Sequence, residues 1–334
     1  MRYHHWIKLF LRFTINFFIF LLLGLHLPTT ADVVSSGGSF FDFIQARDAV
    51  GLKTFMTNEI QLQNSHHLER NNLAMFEAVC DGAAELCEVL ISFGADVNYT
   101  GGRQGTPLFL ACWYAHPACV DLLLAHGANV NTVNLSHSWT PLIGTAVKND
   151  TPIGLTLDQF IDKRCQCMRS LLAGVVAIDQ TDKHGYSAVM CASWCLQLTE
   201  ILVEAGANIN ILNLNLINAL HIATVRKNAD VVEMLLKRGA DVDALTDDRV
   251  APLLWVCRNL VPVIVESLLR HNADIDIVDN FGRTPLQCVL VCPVTSPNRV
   301  AVLQLMATCA QTRLEASSAD WIRLAGNEQH GHIL

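Results

Sequence analysis

Twelve cysteines and thirteen histidines are the residues of this 334-residue chain best suited to nucleophilic or metal chemistry. Cys165 and Cys167 form a C-x-C, but neither a second Cys pair nor a His pair at zinc spacing accompanies it, so no closed tetrahedral set is offered. Cys191 with Cys195, and Cys288 with Cys292, lie four apart, the spacing of neighbours on one helix face. His66-His67 fall in a loop, and His330 with His332 at the terminus, where scattered histidines carry no evident task. Glycine-rich phosphate loops, G-x-S-x-G and H-E-x-x-H are all missing, and the tail 311–334 is too short for a catalytic domain. The expectation is a non-enzyme with no cofactor and no metal.

Charge narrows the partners. With 23 Lys plus Arg against 31 Asp plus Glu the chain carries a net charge of -8, which argues against a nucleic-acid binder. Arg2, Lys8 and Arg12 all precede the first acidic residue, Asp32, so the remainder is more acidic still. Only 16% of the chain is charged and 51% is hydrophobic, which requires burial along most of the length and excludes global disorder. Residues 13–27 are uncharged and mostly apolar, follow that basic flank, and lead to Thr29-Thr30-Ala31. Two readings stay open: a secretory signal peptide ending at Ala31, or an uncleaved signal anchor in which residues 7–27 associate with a membrane.

The elements that must position any site follow from a period. Gly94-Ala95-Asp96, Gly127-Ala128-Asn129, Gly206-Ala207-Asn208, Gly239-Ala240-Asp241 and Asn272-Ala273-Asp274 come into register, with neighbouring marks 33 residues apart except across 127 to 206. Thr106-Pro107-Leu108, Thr140-Pro141-Leu142, Asn218-Ala219-Leu220-His221, Ala251-Pro252-Leu253 and Thr284-Pro285-Leu286 repeat with them. Thr before Pro starts a helix, because the hydroxyl caps a free N–H and the proline lacks only a donor that had no partner. A second helix follows with apolar residues at i, i+3, i+4, as in Val120, Leu123 and Leu124, or Val232, Leu235 and Leu236. Glycine then ends it in the left-handed conformation, and Asn272 is the substitute that tolerates the same geometry.

These marks resemble the ankyrin repeat, with its T-P-L-H-x-A and G-A-D/N-V-N signatures. The resemblance implies an all-α solenoid of helix-turn-helix units joined by hairpin loops, over residues 39–310. A divergent capping unit spans 39–68, and seven units follow at 69–100, 101–132, 135–179, 182–211, 213–244, 246–277 and 279–310. Residues 1–31 precede a linker, 32–38, and 311–334 form a tail. The third unit is long: Thr140 to the matching Ser187 is 47 residues, which places an insertion at about 150–164, between its two helices. Within it Thr156 to Gln159 has capping-box spacing and could begin a helical turn.

In such an array, equivalent cysteines of neighbouring units stand a helix-packing distance of about 8–10 Å apart, beyond the roughly 7 Å that a disulfide spans. Free buried thiols and a reducing compartment are therefore expected, in conflict with the N-terminal segment, which points to the secretory pathway or a membrane. Asn98-Tyr99-Thr100, Asn134-Leu135-Ser136 and Asn149-Asp150-Thr151 are glycosylation sequons, for which turn geometry is the better account.

The family resemblance also implies where a partner docks: on the hairpin and on two exposed positions of each first helix, which together line a concave surface. Here those positions hold Trp113, Tyr114, Trp139, Tyr186 and Trp194, with Lys148, Arg226, Arg258 and Asn259 at equivalent sites. Aromatic anchors beside arginine are the composition of binding hot spots. The function expected is a non-catalytic, monomeric protein-interaction scaffold, its acidic surroundings favouring a partner with a basic rim. Residues 107–112 and 118–124 resemble repeats of ankyrin and SOCS-box proteins, which implies a narrower alternative, a substrate-recognition subunit of a ubiquitin ligase. The other alternative is a membrane-tethered or secreted ankyrin effector.

Overall fold

A computed structural model describes residues 40–61, 67–100, 105–152, 154–293 and 295–328. The apolar N-terminal segment, the linker, His66, His330 and His332 lie outside the described residues. The described residues are helical, contain no strand, and include no helix long and apolar enough to cross a membrane.

The chain divides into two compact bodies, Met1–Asn64 and Ser65–Leu334. In the first, α1 (Phe40–Ala46) and α2 (Ala49–Gln61) are joined at Arg47, which adopts a φ of 56°. The Phe55 ring lies 5.7 Å from Phe43 and 6.3 Å from Phe40, while Ile44, Leu52 and Met56 are buried.

The second body is a stack of helical pairs. Its first helices are α3 (His67–Cys80), α5 (Pro107–Trp113), α7 (Pro141–Ala146), α9 (Ala188–Ala192), α11 (Ala219–Val225), α13 (Pro252–Arg258) and α15 (Pro285–Val291). Each is paired with a second helix: α4 (Ala84–Ser92), α6 (Pro117–Ala125), α8 (Leu157–Leu172), α10 (Leu196–Glu204), α12 (Ala229–Lys237), α14 (Pro262–Arg270) or α16 (Pro297–Glu328). First helices pack on first helices of the next pair, and second on second. The apolar stripes do this: Val120 and Leu123, Val232 and Leu235, and Val265 and Leu268 have no exposed surface.

Local chemistry fixes where first helices begin and where second helices end. Thr106, Thr140 and Thr284 accept the N–H of Phe109, Ile143 and Gln287 at 3.3, 3.2 and 3.3 Å, each with proline following. Ser187 and Asn218 take the same role for Met190 and His221. After the second helices α4, α6, α10 and α12, Gly94, Gly127, Gly206 and Gly239 have φ between 80° and 89°, and Asn272 after α14 has 64°.

The third pair differs from the sequence expectation. Residues 150–164 do not all lie between helices, since α8 already begins at Leu157 and Cys165 and Cys167 sit inside it. Thr156 and Gln159 close a full capping box, with Gln159 N–H donating to the Thr156 hydroxyl at 3.2 Å and Thr156 N–H to Gln159 Oε1 at 3.0 Å. The reason is a buried stripe, Phe160, Arg164, Met168 and Leu171, at helical spacing. Arg164 interrupts its apolar pattern in the sequence, which hides the longer helix.

A left-handed glycine with open space around it isolates backbone strain from packing. A Cβ at Gly127 or Gly239 would meet nothing within 4 Å. Gly127→Ala and Gly239→Ala should each lower unfolding free energy by about 1 kcal/mol, whereas Asn272→Gly should leave stability within about 0.5 kcal/mol. Urea unfolding of the three variants measures this, and an unchanged midpoint for both alanine variants would reject the assigned helix ends.

Candidate protein-recognition site

The aromatic residues at the first-helix ends do not form one open row. Trp113, at the end of α5, is half-buried between Phe109, 6.3 Å away at 19°, and Trp139, 5.5 Å away at 24°. His137 also stacks on Trp139, its ring centre 4.5 Å away. The Trp139 indole N–H donates to Asp182 Oδ2 at 3.1 Å, and Asp182 Oδ1 accepts the N–H groups of His184 and Tyr186 at 2.8 Å each. One carboxylate thus ties the Trp139 ring to the turn that presents Tyr186. Trp194 stands one pair further along, its indole N–H on the Ala146 carbonyl at 2.8 Å and Lys148 Nζ 5.9 Å from its ring centre. Tyr114 turns the other way and stacks on His116 at 6.4 Å, where burial, then the Cys80 thiol, push its phenol up.

The cationic positions continue the line. Arg226 is exposed, its guanidinium 3.4 Å from the Cys191 carbonyl. Arg258 and Arg283 both hold the one carboxylate of Asp279, which also accepts the N–H groups of Phe281 and Arg283 at 2.8 and 2.9 Å. Burial alone would push that carboxyl up, but the Arg283 backbone N–H, the Arg283 guanidinium and the Phe281 N–H outweigh it and hold it at about 2. Asn259 turns its amide to the Trp255 carbonyl at 2.9 Å.

Behind the aromatic stack lies a residue that sequence reasoning missed. The Arg164 side chain is fully buried. Its guanidinium donates to the carbonyls of Thr145, Val147 (2.6 Å) and Trp113 (3.4 Å) and to the Asn149 side-chain oxygen, and lies 4.6 Å from the Phe160 ring centre. Burial lowers its pKa to about 10. The carbonyls it caps belong to the C-terminal ends of α5 and α7, where a cation meets the negative end of the helix dipole. Arg164 therefore positions the Trp113 backbone and the segment leaving α7 together. Its place on the Phe160, Met168 and Leu171 stripe is the one signal in the sequence that could have found it.

All twelve cysteines are free. Burial pushes Cys112, Cys191 and Cys257 to about 12 and Cys165 to about 11, so they are protonated, poor nucleophiles. Among the described residues no three His, Cys, Asp or Glu side chains could hold a metal ion.

Tandem helix-turn-helix pairs, hairpins braced by an aspartate or asparagine, and left-handed glycines at a fixed period define a repeat solenoid. The family model for ankyrin repeats (three copies) matches residues 50–134, 160–246 and 220–309, and the chain belongs to the ankyrin repeat family. It is 36% identical over 85 residues to ankyrin repeat and SOCS box protein 5 of Oryctolagus cuniculus, covering 25% of each chain. To an ankyrin repeat and KH domain-containing protein of Caenorhabditis briggsae it is 28% identical over 155 residues, 41% of this chain and 6% of that one. The chain thus spans a quarter or less of these two curated relatives. Among solved structures, the human ASB11 ankyrin repeat domain superposes with a TM-score of 0.57 at 25% identity, over 69% of this chain and 96% of that one.

Two outcomes follow from the charged groups. Arg164→Met leaves the Thr145 and Val147 carbonyls without this donor, at about 1–3 kcal/mol each, while Asn149 still serves Trp113, so unfolding free energy should fall by about 2 kcal/mol or more, with a red shift of indole emission. A loss below about 1 kcal/mol would show that water replaces the guanidinium. Asp279, depressed from 3.8 to about 2, contributes about 2 kcal/mol that is complete above pH 4 and is lost as pH falls from 4 to 2. Asp279→Asn should flatten that part of the stability-against-pH curve, and an unaltered slope would contradict the assignment.

Proposed function

We propose that this chain is a non-catalytic scaffold that recognises a protein partner on the side carrying its first helices and hairpins. The ankyrin repeat is an interaction module, and the observation that supports this surface is the Trp113–Trp139 stack. Two indoles from successive pairs form one half-buried platform, held from behind by Arg164 and from the side by Asp182. A platform fixed before binding loses little rotamer entropy when covered, which favours it as an anchor. Trp194 with Lys148 extends it, and Arg226 continues the same line.

A narrower reading, a substrate-recognition subunit of a ubiquitin ligase, is supported by the likeness to ankyrin repeat and SOCS box protein 5 and to the human ASB11 domain.

Photo-crosslinking discriminates the faces of the stack. A benzophenone amino acid placed at Lys148 or Arg226, on the first-helix side, should give protein adducts in cell extract, while the same group at Glu200 or Asp230, on second helices, should give few. Adducts confined to Glu200 and Asp230 would move the recognition surface to the opposite side.

A further inference from the structure

We infer that the partner segment is an extended acidic peptide, with one apolar residue for the tryptophan platform and carboxylates spaced to meet Lys148, Arg226 and Arg258. This rests on the scaffold reading above and reverses the basic-rimmed partner that overall composition suggests. The net charge of -8 belongs to the whole chain, whereas the recognition positions carry the opposite sign. From α7 to α15, the two exposed first-helix positions and the last hairpin position of each pair hold Lys148, Arg226, Arg258 and Arg283, and no Asp or Glu.

From α10 to α14 the charges on the two sides of the stack are handled differently. On those second helices and their ends, Glu233 pairs with Lys237 at 3.4 Å and with Arg270 at 3.9 Å, Glu266 with Arg270 at 3.8 Å, and Glu204 with Arg238 at 4.0 Å, so Lys237, Arg238 and Arg270 are answered, whereas among the described residues Lys163 and Arg169 on α8 are not. Among the described residues, Lys148 and Arg226 have no carboxylate within ion-pair reach, and both are exposed. Arg258 and Arg283 share the single carboxylate of Asp279, which leaves one positive charge over, with their side chains 33% and 38% exposed. Beside them Phe281, 79% exposed, carries Arg283 on its ring at 4.7 Å. A line of uncompensated cations on an acidic molecule selects an anionic occupant by field and by contact.

The spacing sets the register. Neighbouring helices pack about 8–10 Å apart and an extended chain rises about 3.3 Å per residue, so one pair corresponds to about three peptide residues. Lys148, Arg226 and Arg258 leave the first helices α7, α11 and α13, so carboxylates about six and then about three residues apart would face them. An apolar residue about three positions before the first would reach Trp113 and Trp139.

The test pans a phage-displayed library of random 16-residue peptides against the full chain and, in parallel, against a Lys148→Glu, Arg226→Glu variant. Neither substitution touches the core, and matching circular dichroism melts confirm the fold. Wild-type bait should enrich sequences with Asp or Glu at spacings near six and three beside an apolar residue. A synthetic peptide from that set should bind the variant at least tenfold more weakly and weaken with salt. Enrichment of basic or neutral peptides, enrichment indifferent to the charge reversal, or no enrichment over empty beads would overturn the inference. So would a single-stranded DNA 20-mer that displaces the peptide. Neutral peptides that lose binding to a Trp139→Ala bait would sink the acidic partner while leaving the scaffold reading standing, and peptides indifferent to both variants would sink both.

Discussion

A helix of five to seven residues cannot satisfy itself. Its last carbonyl oxygens have no N–H ahead of them, and in helices this short those orphans are most of the backbone acceptors. The solution recurs along the stack: at five of the seven first helices, a side chain from the following pair reaches back to the helix end. His116 donates to the Cys80 carbonyl at 3.0 Å, Asn149 to Trp113 at 3.0 Å, Trp194 to Ala146 at 2.8 Å, Arg226 to Cys191 at 3.4 Å, and the Cys292 thiol to Arg258 at 3.4 Å. Residue type varies freely, because any donor of the right reach serves. The dependence of each pair on its successor is therefore electrostatic as well as hydrophobic, and cooperativity between neighbours follows from both.

A second ladder works at the far ends of the pairs. Asn98, Asn131, Asp179, Asn210 and Asp243 each accept a backbone N–H from the next pair, of Asn129, Ala177, Asn208, Asp241 and Asp274, at 2.7–3.0 Å. The sequons take on a plain meaning here. Asn98 joins this ladder and donates to the Gly127 carbonyl at 3.2 Å. Asn134 is buried and braces its turn by accepting the N–H groups of His137 and Trp139 at 3.1 Å each, and Asn149 caps α5. Turn and junction geometry accounts for all three asparagines.

What could be read in the sequence was whatever repeats. Thr-Pro caps and left-handed glycines are demanded by backbone geometry that is the same in every pair, so period alone exposes them, down to Asn272 in place of glycine. Arg164 was hidden for the converse reason: it answers a need created once, where the longer third pair leaves two helix ends and a loop facing one interior. The aromatic positions were visible as types and registers, but their stacking was not. Whether Trp113 meets Trp139 depends on the one-residue-longer hairpin that carries Trp139, in which Asn134 accepts from the third and fifth residues onward instead of the second and fourth, as Asp182 does.

That difference separates two regions of one surface. Between α5 and α10 the residues proposed to meet a partner are also joints of the stack: Trp194 caps α7, Trp139 holds Asp182, and Trp113 lies between Phe109 and Trp139. Truncating any of them removes a hydrogen bond or ring contact within the array before it removes anything from a partner, so recognition and stability are coupled there. From α11 onward the exposed first-helix positions include the long cations Arg226 and Arg258, beside Asn259, Val291 and Cys292. Arg226 makes a single 3.4 Å contact to its neighbour, and its loss costs the stack little. On the proposed surface the aromatic half thus inherits the rigidity of the array, whereas in the cationic half Arg226 can change sign without disturbing the fold and Arg258, which helps to hold the buried Asp279 carboxylate, cannot.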